Sequence, residues 1–314
     1  MNVTAVVLTL DGRELLERML PTLVAQDASD LRIVVLDDGS SDRTPEWLRA
    51  EWPQVEVVVN EANIGVARSF NRAVELARGS DYLALLNNDL ELAPDYISRV
   101  VAELDAHPEA ASANGKMRNA GEPTVLDGAG DQMMWSSIVT RRGWGERDSG
   151  QYDAPDEVFS VCGGAAVYRM AAFDDVGGFD EDFHAYMEDV DWGFRAQLRG
   201  WTARYVPDAE VLHVGGATTS RRAGFYARLQ RRNALLTVIK DYPAGALARH
   251  LPRVVLHQLR WLGQSRREGL GRDHLAAWGQ ALRMLPATLG KRRKIQRARR
   301  VGVARLDEVM SPEP

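Results

Sequence analysis

Cysteine is nearly absent from this chain. Cys162 is the only one in 314 residues, which excludes an intrachain disulfide and fits a reducing compartment. Long apolar runs are missing as well: none approaches the roughly 18 residues of a spanning helix. The N-terminus has no basic stretch leading into an apolar core, so no secretory leader is expected there. Internal repeats and low-complexity tracts are also missing. What is left, 45% apolar and 26% charged residues, is the balance of an ordinary globular protein. The length allows one large domain or two smaller ones, and the expected location is the cytoplasm.

The charge is divided unevenly. The net of −5 conceals a body, residues 1–248, with 24 basic and 39 acidic residues. Residues 249–305 carry 15 Arg or Lys against only Glu268 and Asp273. Such a split marks a border near residue 245 and gives the tail a different partner from the body. The tail's spacing is that of basic amphipathic helices: Leu251, Val254, Val255, Leu259, Trp261 and Leu262 alternate with Arg253, Arg260, Arg266 and Arg267. Two readings stand. Either these helices pack on the body, or residues 249–305 meet an anionic membrane surface, with the protein peripheral on the inner face of the cell membrane. The acidic body argues against nucleic acid as a partner.

The first hundred residues alternate strand and helix patterns. Val3–Leu10, Leu31–Leu36, Val55–Val59 and Tyr82–Leu86 read as buried strands. Asp11–Gln26, Thr44–Trp52 and Val66–Arg78 read as helices, Pro21 being absorbed as a kink. Repeated units of this kind predict a mostly parallel α/β sheet, with ligands beyond the carboxyl ends of its strands. Two polar clusters fall at such ends, Asp37-Asp38-Gly39-Ser40 and Asn87-Asn88-Asp89. From Asn114 to Glu157 the pattern loosens. A helix is expected over Met187–Arg199, a strand at Ala203–Val206 and a helix over 225–240.

Each cluster has a plain reading and a chemical one. The cluster after the second strand either makes a tight turn and helix cap, or offers one of its paired carboxylates to accept hydrogen bonds from a base or ribose. Asp89 either ends a strand or holds a hard divalent cation that bridges two phosphates. The stretch from Phe179 to Trp192 packs six acids between aromatics ahead of a helix. Acids suit a helix N-terminus through the dipole alone, but a carboxylate there can also serve as a general base. Asp189 and Asp191 point to different sides of one helix and cannot share a site. His213 and His184 read as structural histidines or as ligands.

Taken together, these residues resemble the family 2 glycosyltransferases, from Val3 to Pro243. The resemblance implies a GT-A fold, a nucleotide-binding Rossmann-like half over 1–113 and an acceptor and catalytic half over 114–244, followed by the helical region 245–314. It implies nucleotide-sugar contacts from Thr9, Asp11, Asp38, Asn63, Gly65, Asn71 and Asn88. It places the Asp-X-Asp metal motif on Asn87-Asn88-Asp89, leaving Asp89 its only carboxylate, with Mg2+ or Mn2+ as the ion and His213 a second ligand. Gly216 and Ser220 go with His213 in that pattern. Gly163, Gly164 and Trp192 fall on the acceptor side, Glu188-Asp189 on the general-base motif, and Arg232-Asn233 on a recurring pair. The motif details are most similar to the rhamnosyltransferase branch. The implied activity is inverting transfer from a nucleotide-diphosphate sugar, dTDP-rhamnose or otherwise a UDP-sugar. The implied acceptor is a saccharide or lipid-linked saccharide in cell-surface polysaccharide synthesis. A nucleotidyltransferase and a non-catalytic sugar-nucleotide-binding protein are the alternatives.

Overall fold

A computed structural model describes residues 2–215 and 223–313, apart from the side chain of Ala223. Gly216 and Ser220 lie outside the described residues. Strand β1 (Val3–Thr9) is followed by α1 (Arg13–Val24), β2 (Leu31–Asp37), α2 (Thr44–Glu51), β3 (Glu56–Val59), α3 (Val66–Leu76) and β4 (Tyr82–Asn87). Next come β5 (Leu90–Leu92), α4 (Tyr96–Ala106), β6 (Ala110–Asn119), β7 (Leu126–Gly128), β8 (Asp131–Met133), β9 (Val139–Arg141) and β10 (Asp156–Val158). Strand β11 (Ala165–Arg169), α5 (Met170–Val176), a 3-10 turn at Glu181–Phe183, α6 (Glu188–Arg199) and β12 (Thr202–His213) complete the sheet region. The chain then continues through α7 (Ala223–Asp241), α8 (Ala244–Arg267), α9 (Gly271–Ala298) and α10 (Val303–Val309).

The main sheet runs in the order β10-β12-β6-β11-β4-β1-β2-β3, with β5 added beside β12 and β7 beside β6. Strands β3, β2, β1 and β4 are mutually parallel, as the strand–helix alternation predicts. Beyond β4 the sheet is mixed, because β11 runs antiparallel between β4 and β6. The chain winds from β1 outward to β3 and then returns to the other flank of β1 as β4. That reversal opens a crevice between the ends of β1 and β4, the usual ligand position in such sheets.

Alternation along β1 divides the core in two. Val3, Ala5 and Val7 face one layer, packed with Leu16, Met19 and Leu20 of α1 and Ile97 and Val100 of α4. Val6 faces the other, with Phe70 of α3, Phe173 of α5 and Trp192 of α6. A third core joins Val190 and Phe194 of α6 to Tyr242, Val254, Ala281 and Leu306. The charge border near residue 245 therefore falls inside a shared core, and the tail helices pack on the body. Among the described residues, no helix is long and apolar enough to cross a membrane.

The two longest strands depart from the sequence pattern for physical reasons. In β6, Ala, Ser, Asn and Gly stand where large apolar residues are usual, yet its first eight residues are buried. Close approach explains it, since a Cβ on Gly115 would lie 1.9 Å from the Ala209 carbonyl oxygen. Strand β12 outruns the expected Ala203–Val206 because its register against β6 shifts between Val206 and Glu210, across Pro207-Asp208. A bulge there lets the strand continue to His213.

Candidate active site

One end of the site is built from three parallel strand ends in register, Thr9 beside Asp37 and Leu8 beside Asn87. Across the crevice, Asn88 Nδ2 donates to Thr9 Oγ1 at 2.8 Å. Gly12 follows at once because a Cβ there would collide with the Asn88 amide at 2.0 Å. Asp11 adopts a positive φ of 47° and its carboxylate accepts from the backbone N–H of Ser41 at 2.6 Å. That bond ties the β1 loop to the β2 loop.

Asp38 is buried and fully occupied. Its Oδ1 accepts from Asn60 Nδ2 at 2.7 Å, from Ser69 Oγ at 3.0 Å and from the Ile64 N–H at 3.1 Å, and its Oδ2 accepts from the Gly65 N–H at 3.3 Å. The carboxylate thus shapes the 60–65 loop and the start of α3. Asn63 reinforces it by accepting from the Gly65 N–H at 3.0 Å. Gly65, at φ 87°, must be glycine because the His184 ring occupies the place of its side chain. Asn71 instead ties α3 to the segment ahead of α6, pairing with both backbone groups of Phe179 and donating to Glu181.

At the end of β4, Asp89 meets the end of β12. The Val214 N–H donates to the Asp89 carbonyl at 2.9 Å, and His213 Nε2 lies 3.3 Å from Asp89 Oδ2. The other ring nitrogen, Nδ1, pairs with Asp127 Oδ2 at 2.6 Å, and Arg141 donates to the same carboxylate. Asp89 Oδ1 is buried without a partner. An orphan carboxylate oxygen beside an imidazole oriented by a second carboxylate is a donor set that fits a divalent cation. Among the described residues no group of three His, Cys, Asp or Glu could hold an ion. A bound ion would therefore draw its other ligands from diphosphate and water. Burial works against a charged His213, but the hydrogen bonds to Asp127 and Asp89 outweigh it and raise its pKa to about 9.

The other end of the site is the N-terminus of α6. Asp189 Oδ2 accepts from the Gly163 N–H at 2.9 Å and its Oδ1 from the Val190 N–H at 2.8 Å. Gly163 and Gly164 act as a thin spacer. A Cβ on Gly163 would lie 3.0 Å from Asp189 Cβ, and one on Gly164 would lie 2.4 Å from Asn87 Nδ2. Two glycines thus bring the α6 carboxylate and the β4 end to opposite sides of one backbone segment. Burial raises the proton affinity of Asp189, and the two N–H groups oppose it. Glu188 is buried with Oε2 unpartnered, and burial followed by repulsion from Asp189 pushes its carboxyl to about 8.

Asp191 points away from this group, as its spacing from Asp189 requires. It pairs with Arg195 at 2.9 Å and with Lys240, fully buried. Trp192 corrects the expectation of an acceptor-side residue. It is 1% exposed, packed edge-on against Tyr168 and at a tilt against Phe173 and Phe179, and its indole N–H donates to the Gly177 carbonyl. So large an apolar surface gains more from the core than from a solvated wall.

Three residues of the site escape a reading of the sequence. Asp127, Asp131 and Arg141 come from the aperiodic stretch between 114 and 157. Asp131 accepts from Ser160 Oγ at 3.1 Å, and burial and then repulsion from Asp189 raise its carboxyl to about 8. Arg141 stands opposite Asp131 in the β8–β9 hairpin. The visible signal is two acids framing the glycine-rich run Asp127-Gly128-Ala129-Gly130-Asp131, a pattern that turns also produce.

Comparison with known proteins bears on the family and the fold. Residues 4–177 match the profile of "Glycosyl transferase family 2". An N-acetylglucosaminyl-diphospho-decaprenol L-rhamnosyltransferase of Mycobacterium tuberculosis is 29% identical over 227 residues, 66% of this chain and 74% of that protein. The mannosyltransferase PcManGT of Pyrobaculum calidifontis, solved with GDP-Man and Mn2+, superposes with a TM-score of 0.57 at 19% identity, over 98% of this chain and 86% of that one. S. aureus TarS, solved with UDP, gives 0.58 at 16% identity, over 95% and 89%.

Proposed function

Because the chain belongs to glycosyl transferase family 2, we propose that it moves a sugar from a nucleotide-diphosphate donor to an acceptor hydroxyl with inversion at the anomeric carbon. The observation that carries this reading is the Asp189 carboxylate, anchored by the Gly163 N–H and separated from the β4 end by only the two-glycine spacer. Asp189 takes the proton of the acceptor hydroxyl, whose oxygen bonds to the anomeric carbon as the bond to the diphosphate oxygen breaks. Its raised proton affinity suits a base, and its two backbone donors hold the carboxylate in place. No covalent intermediate on the protein is needed, so positioning supplies much of the rate. Thr9, Asn88 and the 60–65 loop shaped by Asp38 and Asn63 form the donor cradle. A divalent cation, Mg2+ or Mn2+, held by Asp89 and His213 would neutralise charge on the leaving diphosphate; the Mn2+ in PcManGT supports this.

Rhamnose is the favoured sugar, with dTDP-rhamnose as donor, on the motif resemblance and the M. tuberculosis relative. That relative's name also supports a lipid-linked saccharide acceptor of the diphospho-polyprenol class. The test is a panel of sugar nucleotides offered with N-acetylglucosaminyl-diphospho-polyprenol. Transfer from dTDP-rhamnose with release of nucleoside diphosphate and an inverted product is expected. Pyrophosphate release would mark a nucleotidyltransferase instead, and a retained configuration would remove the single-displacement scheme.

A further inference from the structure

We propose that the outer faces of α8 and α9 form a docking surface for an anionic lipid bilayer. The proposal deepens the reading above, which it needs only for its purpose of bringing the site to a membrane-bound acceptor. Among the described residues nine large apolar side chains are exposed, and seven of them lie on these two helices. Leu251, Val255, Leu256 and Leu259 of α8 are between 48% and 55% exposed. On α9, Leu275 and Leu289 are exposed at 48% and 39%, and Leu282 at 70%.

Helix α8 shows that this is a second face, separate from the packing face. Ala246, His250, Val254, Gln258 and Leu262 recur every four residues and are buried against the body. The exposed apolar residues follow the adjacent stripe, where a solvated helix would carry polar groups. Arg249, Arg253, Arg260 and Arg267 lie along the next edge round the helix. Of the 15 basic residues between 249 and 305, only Lys291, Arg300 and Arg305 make ion pairs among the described residues. The arginines bordering the leucines therefore have no acidic partner there.

Charge decides the occupant. A second copy seated on this face would oppose two segments that each carry a strong positive surplus, which is repulsive. Anionic headgroups neutralise that surplus, and the hydrocarbon boundary accepts exposed leucines without needing a matching groove. Arginines beside the leucines place positive charge at headgroup level while the apolar stripe enters below it.

The 314-residue chain would be floated with vesicles of phosphatidylcholine alone or of phosphatidylcholine with phosphatidylglycerol. Binding to the anionic vesicles only, reversed by salt, is expected. Arg253→Gln with Arg260→Gln should lower the partition coefficient by about fivefold per charge. Leu256→Asn with Leu259→Asn should lower it at least as far, and both double variants should keep full transfer to a water-soluble acceptor. Equal binding to both vesicle types, no binding, or binding that neither double variant weakens would overturn the proposal. So would a dimer in sedimentation that the leucine variant dissolves, since that assigns the face to a second copy. Vesicle binding by a chain that transfers no sugar would leave the surface standing and remove only the functional reading.

Discussion

Asn233 offers the sharpest test of how the proposed base, Asp189, is held. The loop leading into α6 has three non-glycine residues at positive φ, His184, Tyr186 and Met187. At His184 (φ 62°, ψ −59°) the Ala185 N–H donates to the Phe183 carbonyl at 2.7 Å, which makes a strained γ-turn. Residues in such regions cost about 1–3 kcal/mol each and persist only where the surroundings enforce them. The enforcement comes from α7. Fully buried Asn233 Nδ2 lies 3.0, 3.0 and 2.7 Å from the carbonyls of Phe183, Ala185 and Tyr186, and Arg232 donates to those of Asp182 and Phe183. An amide nitrogen has two hydrogens for these three acceptors, so Asn233→Ala removes two bonds' worth of stabilisation, about 1–3 kcal/mol. If about 2 kcal/mol of that is borne by the loop, its native population relative to relaxed forms falls about 30-fold. Turnover per folded molecule should fall by up to that factor, while nucleoside diphosphate affinity, read by calorimetry, stays within about twofold. Val238→Ala, a buried position of α7 with no bond to the loop, supplies the control, since it lowers Tm by a comparable core loss. Equal turnover in the two variants once matched for folded fraction would refute the argument and reduce Asn233 to a packing residue.

Other outcomes follow from the same geometry. Asp189→Asn keeps the shape and removes the proton acceptor, so turnover should drop about a hundredfold or more with donor affinity intact; near-normal turnover would exclude Asp189 as the base. Asp127→Asn should weaken Mn2+ binding, followed by calorimetry, by about 10- to 100-fold through loss of the group that orients His213, and Asp89→Ala should abolish it; unchanged Mn2+ binding in both would remove the cation from this place. Acid stability should depend on Asp180. Burial pushes its carboxyl up, but Lys240 and Lys291 outweigh that and hold it at about 2. A depressed folded value stabilises above the ordinary carboxylate range and is lost as pH falls through about 4 to 2, a loss of about 2 kcal/mol. Asp180→Asn should therefore flatten the fall of Tm between pH 5 and 3, and an unchanged slope would show that the ion cluster contributes nothing there.

Periodicity and turn chemistry made half of this protein legible. The apolar runs of β1 to β4 and the helices between them follow from burial on both faces of a parallel sheet, and the polar clusters at their ends mark the crevice where strand order reverses. The carboxylates at the start of α6 were equally visible, because acids two positions apart on a helix must diverge, and Asp191 duly turns to Arg195. Tertiary structure decided what lies between those marks. Strand β6 is hidden in sequence because close backbone packing selects Ala, Ser and Gly over strong strand formers. Asp127 and Arg141 join the site through a hairpin whose spacing follows no period, and Trp192 could be assigned to core or cleft only once its neighbours were known. Asp38, read as a nucleotide contact, holds a loop through four hydrogen bonds that no spacing rule reveals. Local order is written in the repeat of apolar side chains, but which distant residues share a carboxylate depends on how whole elements pack.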